Sequence, residues 1–536
     1  MVTYTQPGAG AATRSVDAKI AEIRSAEDYG AAGTGAGDDG PALQSALASF
    51  TAGALTGGKV KAAGRYRVAT SVALPQGAVL SGDDVSPEQP RVGQSIFDRP
   101  SLIRLVPSAT VTLGRGAAIE NLSIVQDLPD TSEPPLNDTA IAALLADYSG
   151  VGVTANRTGG AVRNAFVAGF DTCVLADMTA PAGGTSLGGT GIDGGRINLS
   201  NLRLDGKNGV RLKNARDVSR IVDVHFWPFV TAHVNDATKA NLKRPGVGLY
   251  LEGTNEFTCI ERFFAFGAAR GMVFDGANDV FATDCQIDHP DAVGNVGVDI
   301  LNGAYAIHLV NLHTEAQQVG VRINSVGPAG AQGAAREVVA DIRGGRIVAT
   351  DICVDIQNGD TLIDGVVFRA AAVKIRVGAI ADNVTIVNPV FDDAGVAIRI
   401  DAGFTGRCKI DLGLPCLGTP VFDIPDALIT AGRVVIHDPY NYTGKAAVSA
   451  QSERNTGKLN VGTAALIAPM FGVIQASVAA GSPHYAFWKD DGADNAKLAD
   501  IVFDGQNFYA RRLSNDGLTV QSAVRIADTG VPTSPS

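Results

Sequence analysis

This 536-residue chain has no hydrophobic run of membrane-spanning length, and its N-terminus carries no charged-then-apolar leader. The first absence argues against membrane insertion. The second implies that, if the protein acts outside a cell, it leaves by a route other than a signal peptide. Charged residues make up 18% and aromatics 6%, with Lys and Glu too scarce for a helical protein. A basic excess is missing as well: the net charge of −11 argues against a nucleic-acid role, where a cationic stripe would be needed. Six cysteines (Cys173, Cys259, Cys285, Cys353, Cys408, Cys416) show neither CxxC nor Cys/His spacing. Buried free thiols are therefore expected, with no metal, cofactor or disulfide framework. A Gly-x-Ser-x-Gly elbow is absent, which excludes a serine esterase of that kind.

What is abundant is glycine, 63 residues, together with Val, Ile and Thr, the composition of strands joined by tight turns. A short helical pattern covers 15–24. A second helix follows in "DDGPALQSALASF", where Asp38 and Asp39 offer N-caps, Pro41 suits the first turn, and Leu43, Leu47 and Phe50 form one apolar face. Short alternating strands come next, through Val60, Tyr66, Val68, Val72, Leu74, Val79 and Leu80.

The middle of the chain repeats. One unit, Gly-Val-x-Ile-x-Asn/Gly, appears as "GVRLKN" (209–214), "GLYLEG" (248–253), "GMVFDG" (271–276), "GVDILN" (297–302), "GVRINS" (320–325), "AVKIRV" (372–377) and "GVAIRI" (395–400). The "GPAGAQG" insertion at 327–333 lengthens one gap. A second unit precedes it as "VRNAFV", "LSNLRL", "IVDVHF", "ATDCQI", "LVNLHT" and "IVNPVF", with Asn or Asp at its third position, a turn-forming place. From 248 onward the spacing is mostly 23 to 26 residues, and short strands at this period, with no regular helices between them, indicate a solenoid of stacked coils, a parallel β-helix.

The segments "EDYGAAGTGAGDDGPALQSALASF", "GGKVKAAGRYRV" and "VALPQGAVLSGDD" resemble the opening of the pectate-lyase-like β-helix superfamily, where a D-[FY]-G-A…D-D…A-[IL]-Q-x-A pattern leads into the first coils. The preceding "YTQPGAGAATRSVDAKIAEIRS" is similar to the segment before the β-helix in many bacteriophage tailspikes. The match covers residues 4–83 and is specific for fold and phage origin, less so for reaction type. The resemblance implies an all-β, right-handed parallel β-helix with a short N-terminal capping helix. It also implies a homotrimer on the virion tail that binds and cleaves a bacterial surface polysaccharide (capsule, exopolysaccharide or O-antigen). Little precedes the matched segment, so attachment to other phage tail proteins is expected through the N-terminus, or the anchoring domain has been lost. The superfamily's calcium-binding Asp clusters and paired catalytic arginines are not evident, which disfavours a calcium-dependent lyase. The expected division is 1–28 for attachment, 29–436 for the β-helix and 437–536 for a small C-terminal β domain.

Aligning the second unit places residues in columns. Its fifth position reads Arg203, His225, Gln286, His313 and Val390; two residues later come Asp205, Trp227, Asp288, Glu315 and Asp392. "IERFFAFG" (260–267) fits less well and adds Phe264 and Phe266. Both columns alternate with apolar positions and are expected to face outward. Coils stack ~4.8 Å apart, so Asp288 and Glu315 are expected to be adjacent carboxylates, with His313, His289 and Asp291 close by. Such a pair separates its pKa values, giving one acid and one ionised group. That is the requirement of glycoside hydrolysis, at about 5–5.5 Å for retention and about 6.5–9.5 Å for inversion. Asp288, Glu315, His313 and Asp291 are the catalytic candidates. Trp227, Phe264 and Phe266 offer flat faces for sugar rings, joined by His225, His289 and Arg322.

The plainer reading is that outward carboxylates only solubilise a strand. Glu252, Asp275 and Asp299 form a rival acidic line on the neighbouring strand, and acids from different subunits of a trimer are a further arrangement. A metal-free lyase, with His313 as base and Arg203 or Arg322 neutralising a uronate, is the alternative chemistry. A non-catalytic glycan-binding spike is the alternative class. In the C-terminal part, hairpin-like strands with Asp-Gly turns suggest trimerisation or carbohydrate binding, with Tyr485, Phe487 and Trp488 as a candidate platform.

Overall fold

The computed structural model describes residues 23–438 apart from 51–56, 84–94, 130–136, 157–158, 180–194, 217, 233–238, 292, 327–337 and 414–419. It also describes Thr443 and strand backbone at 3–5, at 13–15 and between 475 and 533. Two compact units divide the chain: residues 1–361 with 366–376, and residues 362–365 with 377–536.

In the first unit the helix expected at 15–24 is not formed at its ends, which lie in the strands Thr13–Ser15 and Ile23–Ser25; residues 16–22 fall outside the described set. The helix Gly40–Ala48 is present, with Pro41 in its first turn and Leu43, Leu47 and Phe50 buried. Neither aspartate caps it in the usual way. Asp38 accepts from the amides of Gly40 (3.0 Å) and Ala69 (2.8 Å), and Asp39 from that of Ala32 (2.7 Å). They therefore fasten the helix to neighbouring coils instead of satisfying its N2 and N3 donors.

From Ile23 onward the described strands of this unit pair in parallel, each with its counterpart one coil away. A representative coil consists of Asn278–Thr283, Gln286–Asp288 and Val296–Leu301. Alternation sends Ala282, Ile287, Val298 and Ile300 inward, where they stack on Leu309, Thr314, Val321 and Ile323 of the next coil. The recurrent third-position residue explains the bend between strands. Asn164, Asn201, Asp223, Asp284 and Asn311 all hold left-handed backbone, φ between 48° and 55°, the conformation that Asn and Asp tolerate best among non-glycine residues. They also form rungs: Asn201 Nδ2 donates to Asn164 Oδ1 (2.8 Å), and Asn311 Nδ2 to Asp284 Oδ1 (2.6 Å).

One helix escaped the repeat reading. Asp138–Asp147 begins at Asn137, whose side chain accepts from the Ala140 amide (2.9 Å). Its Leu144 joins a buried cluster with Phe97, Tyr148, Phe166 and Phe229. Cys173 and Cys285 of this unit are buried free thiols, Cys353 is buried, and Cys259 is half-buried and free.

In the second unit Val384, Ile386 and Ile410 are buried where residues 383–387 pair in parallel with the strand Arg407–Asp411. Parallel pairing runs on to Val434–His437, past the point where the Gly-Val-x-Ile rhythm stops, and Cys408 is a buried free thiol. A six-stranded antiparallel meander follows, from Gln475–Ala479 to Pro532–Thr533. The side chains of Tyr485, Phe487 and Trp488 lie outside the described residues, as do Cys416 and the insertion at 327–333.

Candidate active site

The strands Phe264–Phe266, Gln286–Asp288 and the start of His313–Asn324 lie in direct register on successive coils. Ala265, Ile287 and Thr314 point into the core, so the residues on either side of each face outward. One outward column runs Arg203, His225, Phe264, Gln286, His313, Arg346. The other places Phe266, Asp288 and Glu315 side by side. The poorly matching "IERFFAFG" coil is thus a full member of the stack. Arg262 takes its left-handed bend (φ 51°), held by two hydrogen bonds to Asp223 (2.6 and 3.0 Å).

Asp288 and Glu315 are therefore adjacent acids with different surroundings. Asp288 is half-buried, and among the described residues its one side-chain hydrogen bond comes from the next backbone amide, His289 (2.7 Å). Among the described residues no cation lies within ion-pair distance. Burial raises its pKa and the charge of Glu315 adds to that, against the lowering effect of the His289 amide. Glu315 instead receives Nη2 of Arg346 at 3.0 Å. His313 sits beside this pair with Nε2 3.2 Å from Asn311 Oδ1.

An aromatic wall continues from the pair. Trp227 stacks on Phe266 (centroids 4.3 Å, planes 29° apart) and, more loosely, on Phe264 (6.2 Å). His225 meets Phe264 (4.6 Å), Phe229 (5.3 Å) and Trp227 (5.8 Å) edge-on. Burial lowers the His225 pKa to about 4, with the Arg203 charge acting the same way, so its imidazole is neutral near pH 7. Its Nε2 and the Nε1 of Trp227 are buried with no hydrogen-bond partner among the described residues.

Several expected placements are corrected. Asp205 does not face outward: it is fully buried against Arg244, itself fully buried, with Nε–Oδ1 2.7 Å and Nη2–Oδ2 3.0 Å. The reason is that the chain leaves the sheet after Phe226 and folds over Asp205, whose Oδ2 accepts from the Val230 amide (2.7 Å). This buried pair pins the turn that carries Trp227 and Phe229. His289 points in, not out. Its ring is buried, hydrogen-bonded through Nδ1 within its own loop at Asp291, and burial lowers its pKa. Asp291 is ion-paired with Lys243, which lowers its pKa.

The rival acidic line breaks up. Glu252 and Asp275 are in register, but the residue opposite Asp275 is Leu301, while Asp299 stands between Val273 and Arg322. Each acid is occupied: Glu252 by Arg211 (2.8 Å), Asp275 by the Tyr250 hydroxyl and the Asn302 amide (both 2.8 Å), and buried Asp299 by Arg322 (2.8 Å). Arg322 is thus committed to Asp299, away from His313, and Arg203 lies four coils from His313 along its column. Val390 and Asp392 belong to the second unit.

Sequence reasoning missed Arg346 and Arg244. Arg346 follows "RGG", where Gly344 (φ 60°) takes the place of the Asn/Asp bend, so a search for Asn or Asp passes over that coil. Arg244 lies in an insertion between repeats, and no spacing points to Asp205. Among the described residues no group of three His, Cys, Asp or Glu is placed to hold a metal ion, and no helix is long and apolar enough to cross a membrane.

No family profile and no curated protein matches this sequence. Among solved structures, the chain is similar to tailspike protein mutants of E. coli bacteriophage HK620 solved with a pentasaccharide. One is 10% identical with a TM-score of 0.44, covering 99% of this chain and 93% of that one. Another is 12% identical with a TM-score of 0.43, covering 82% and 70%. A third structure, the catalytic unit of a GH87 α-1,3-glucanase from Streptomyces thermodiastaticus strain HF3-3, is 14% identical with a TM-score of 0.28, covering 75% and 70%.

Proposed function

We propose that this protein is a phage tailspike, a homotrimer of right-handed parallel β-helices, that depolymerises a bacterial surface polysaccharide by glycoside hydrolysis. Asp288 is the general acid and Glu315 its carboxylate partner. The observation that carries the reading is the register Phe266, Asp288, Glu315, with Trp227 stacked on Phe266: two adjacent acids at the end of an aromatic shelf. Asp288, with its raised pKa and no cation, suits proton donation to a leaving oxygen. Glu315, ion-paired to Arg346, supplies the negative charge opposite a developing oxocarbenium ion, as base or nucleophile. The stacked rings present apolar faces to sugar rings. His313 lies at the edge as a polar contact; Asp291, neutralised by Lys243, holds its loop. In this reading residues 437–536 serve trimerisation or glycan binding, and residues 1–28 serve attachment to the tail.

Elimination is less well supported, because Arg203 and Arg322 stand away from His313, and Arg346, next to it in the column, is ion-paired with Glu315. The test is release of reducing ends from host-range polysaccharides by the full chain and by Asp288→Asn. Wild-type cleavage that falls at least a hundredfold in the variant supports hydrolysis at this site. Unsaturated uronide absorbance would select a lyase, and binding without new ends would select a non-catalytic spike.

A further inference from the structure

The same face carries a cation with no acid. Arg203, half-buried, lies opposite His225 in the first outward column. Its guanidinium donates from Nη1 to the Leu202 carbonyl (3.2 Å), and among the described residues no carboxylate stands within ion-pair distance. The acid whose charge acts on it, Asp223, is taken by Nε and Nη2 of Arg262 from the next coil. Three other outward arginines of these coils are matched: Arg211 with Glu252, Arg322 with Asp299 and Arg346 with Glu315. A guanidinium stays charged at any working pH, and its planar fork fits a carboxylate or phosphate through two parallel hydrogen bonds. Partial burial strengthens that attraction over its value in water. His225 beside it is neutral near pH 7 and adds no competing charge.

Position adds a second argument. Arg203, His225, Phe264 and Gln286 stand on four successive coils, which puts Arg203 three coils from Asp288, roughly 14 Å at the stacking distance. An anion bound there avoids repulsion from Asp288 and Glu315, and the Phe264, Trp227 and Phe266 rings lie along the intervening path.

We infer that Arg203 is a subsite for an anionic substituent of the glycan, a carboxylate or a phosphate, so that the substrate is an acidic polysaccharide extended along the stack. The inference rests on the glycan-binding reading of this face. It is tested by presenting the full chain, Arg203→Gln and Arg203→Lys with an array of acidic and neutral bacterial polysaccharides. Carboxyl-reduced and dephosphorylated copies of each bound polymer are included. The expected result is that bound polymers are acidic and that Arg203→Gln weakens binding at least tenfold, with part restored by lysine. Removing the responsible anion should weaken wild-type binding equally, and should not weaken Arg203→Gln further. Whichever treatment has that effect identifies the source. Equal binding of neutral polymers, or an unchanged Arg203→Gln, overturns the subsite while leaving the glycan reading intact. Binding to no polymer by the wild-type chain overturns both. The treated polymers test the wild-type protein directly, so the result does not depend on the variants folding.

Discussion

Asp288 and Asp299 belong to one coil, yet their neighbours treat them in opposite ways. Asp299 is fully buried and receives Arg322 and, at 3.5 Å, Arg270. Asp288 is half-buried, has no cation within ion-pair distance among the described residues, and is crowded by a second carboxylate. The first is an acid whose charge is answered, an arrangement that locks two adjacent coils together. The second is an acid whose charge is opposed, an arrangement that disfavours the ionised form. A search for acids by spacing finds both; only the surrounding cations separate them.

The largest expected effect breaks the comparison by chemistry. Asp288→Asn is expected to lower glycan cleavage by about 10²–10⁴-fold, the usual contribution of a general acid. Glu252→Gln and Asp275→Asn should leave it within a few-fold of wild type, measured by release of reducing ends. Loss of activity through Glu252 with retention in Asp288→Asn would move the site to the other face.

The next effect is on stability. Arg244→Met strands Asp205 in the core and should cost about 3–5 kcal/mol in denaturant unfolding. Asp205→Leu combined with Arg244→Met should recover much of that loss, because two well-packed apolar groups replace a desolvated pair. Glycan affinity need not recover with it, since the Val230 amide loses its acceptor and the turn bearing Trp227 loses its anchor.

A smaller contrast of sign follows from the same logic. Asp299→Asn removes charge-assisted hydrogen bonds and should cost about 1.5–3 kcal/mol. Asp288→Asn should instead raise the melting temperature at neutral pH. A carboxyl whose folded pKa is raised contributes most stability below the unfolded value and loses it as pH rises through the folded one. The gain from Asn therefore vanishes on acidification. Thermal scans at neutral and acidic pH check both halves.

Much of this was legible in the sequence, for reasons that particular residues make clear. The Asn/Asp at the third position is a local requirement of a left-handed bend, so it repeats with the coil and sets the register that aligns Asp288 with Glu315. Partnership is not local. Arg346 meets Glu315 and Arg244 meets Asp205 across 31 and 39 residues, and both depend on where a glycine bend or an inserted turn sends the chain. The rival line failed for a related reason: Glu252 and Asp275 keep step, but Asp299 falls two residues short of the position that would continue them.

The finest test concerns the wall beside the pair. His225 has a folded pKa of about 4 against an ordinary 6.5, because burial among Phe264, Phe229 and Trp227 disfavours the charged ring. Its contribution to stability is therefore intact above the ordinary value and is lost as pH falls from about 6.5 through about 4. His289, lowered by burial in the loop after Asp288, acts with the same sign. His225→Phe should flatten, without abolishing, the decline of melting temperature across that interval, because His289 and the shifted carboxyls, Asp288 and Asp291 among them, also contribute to the slope. If the profiles of wild type and His225→Phe run parallel down to pH 4, the wall already admits the imidazolium, and the depressed proton affinity assigned to His225 is wrong.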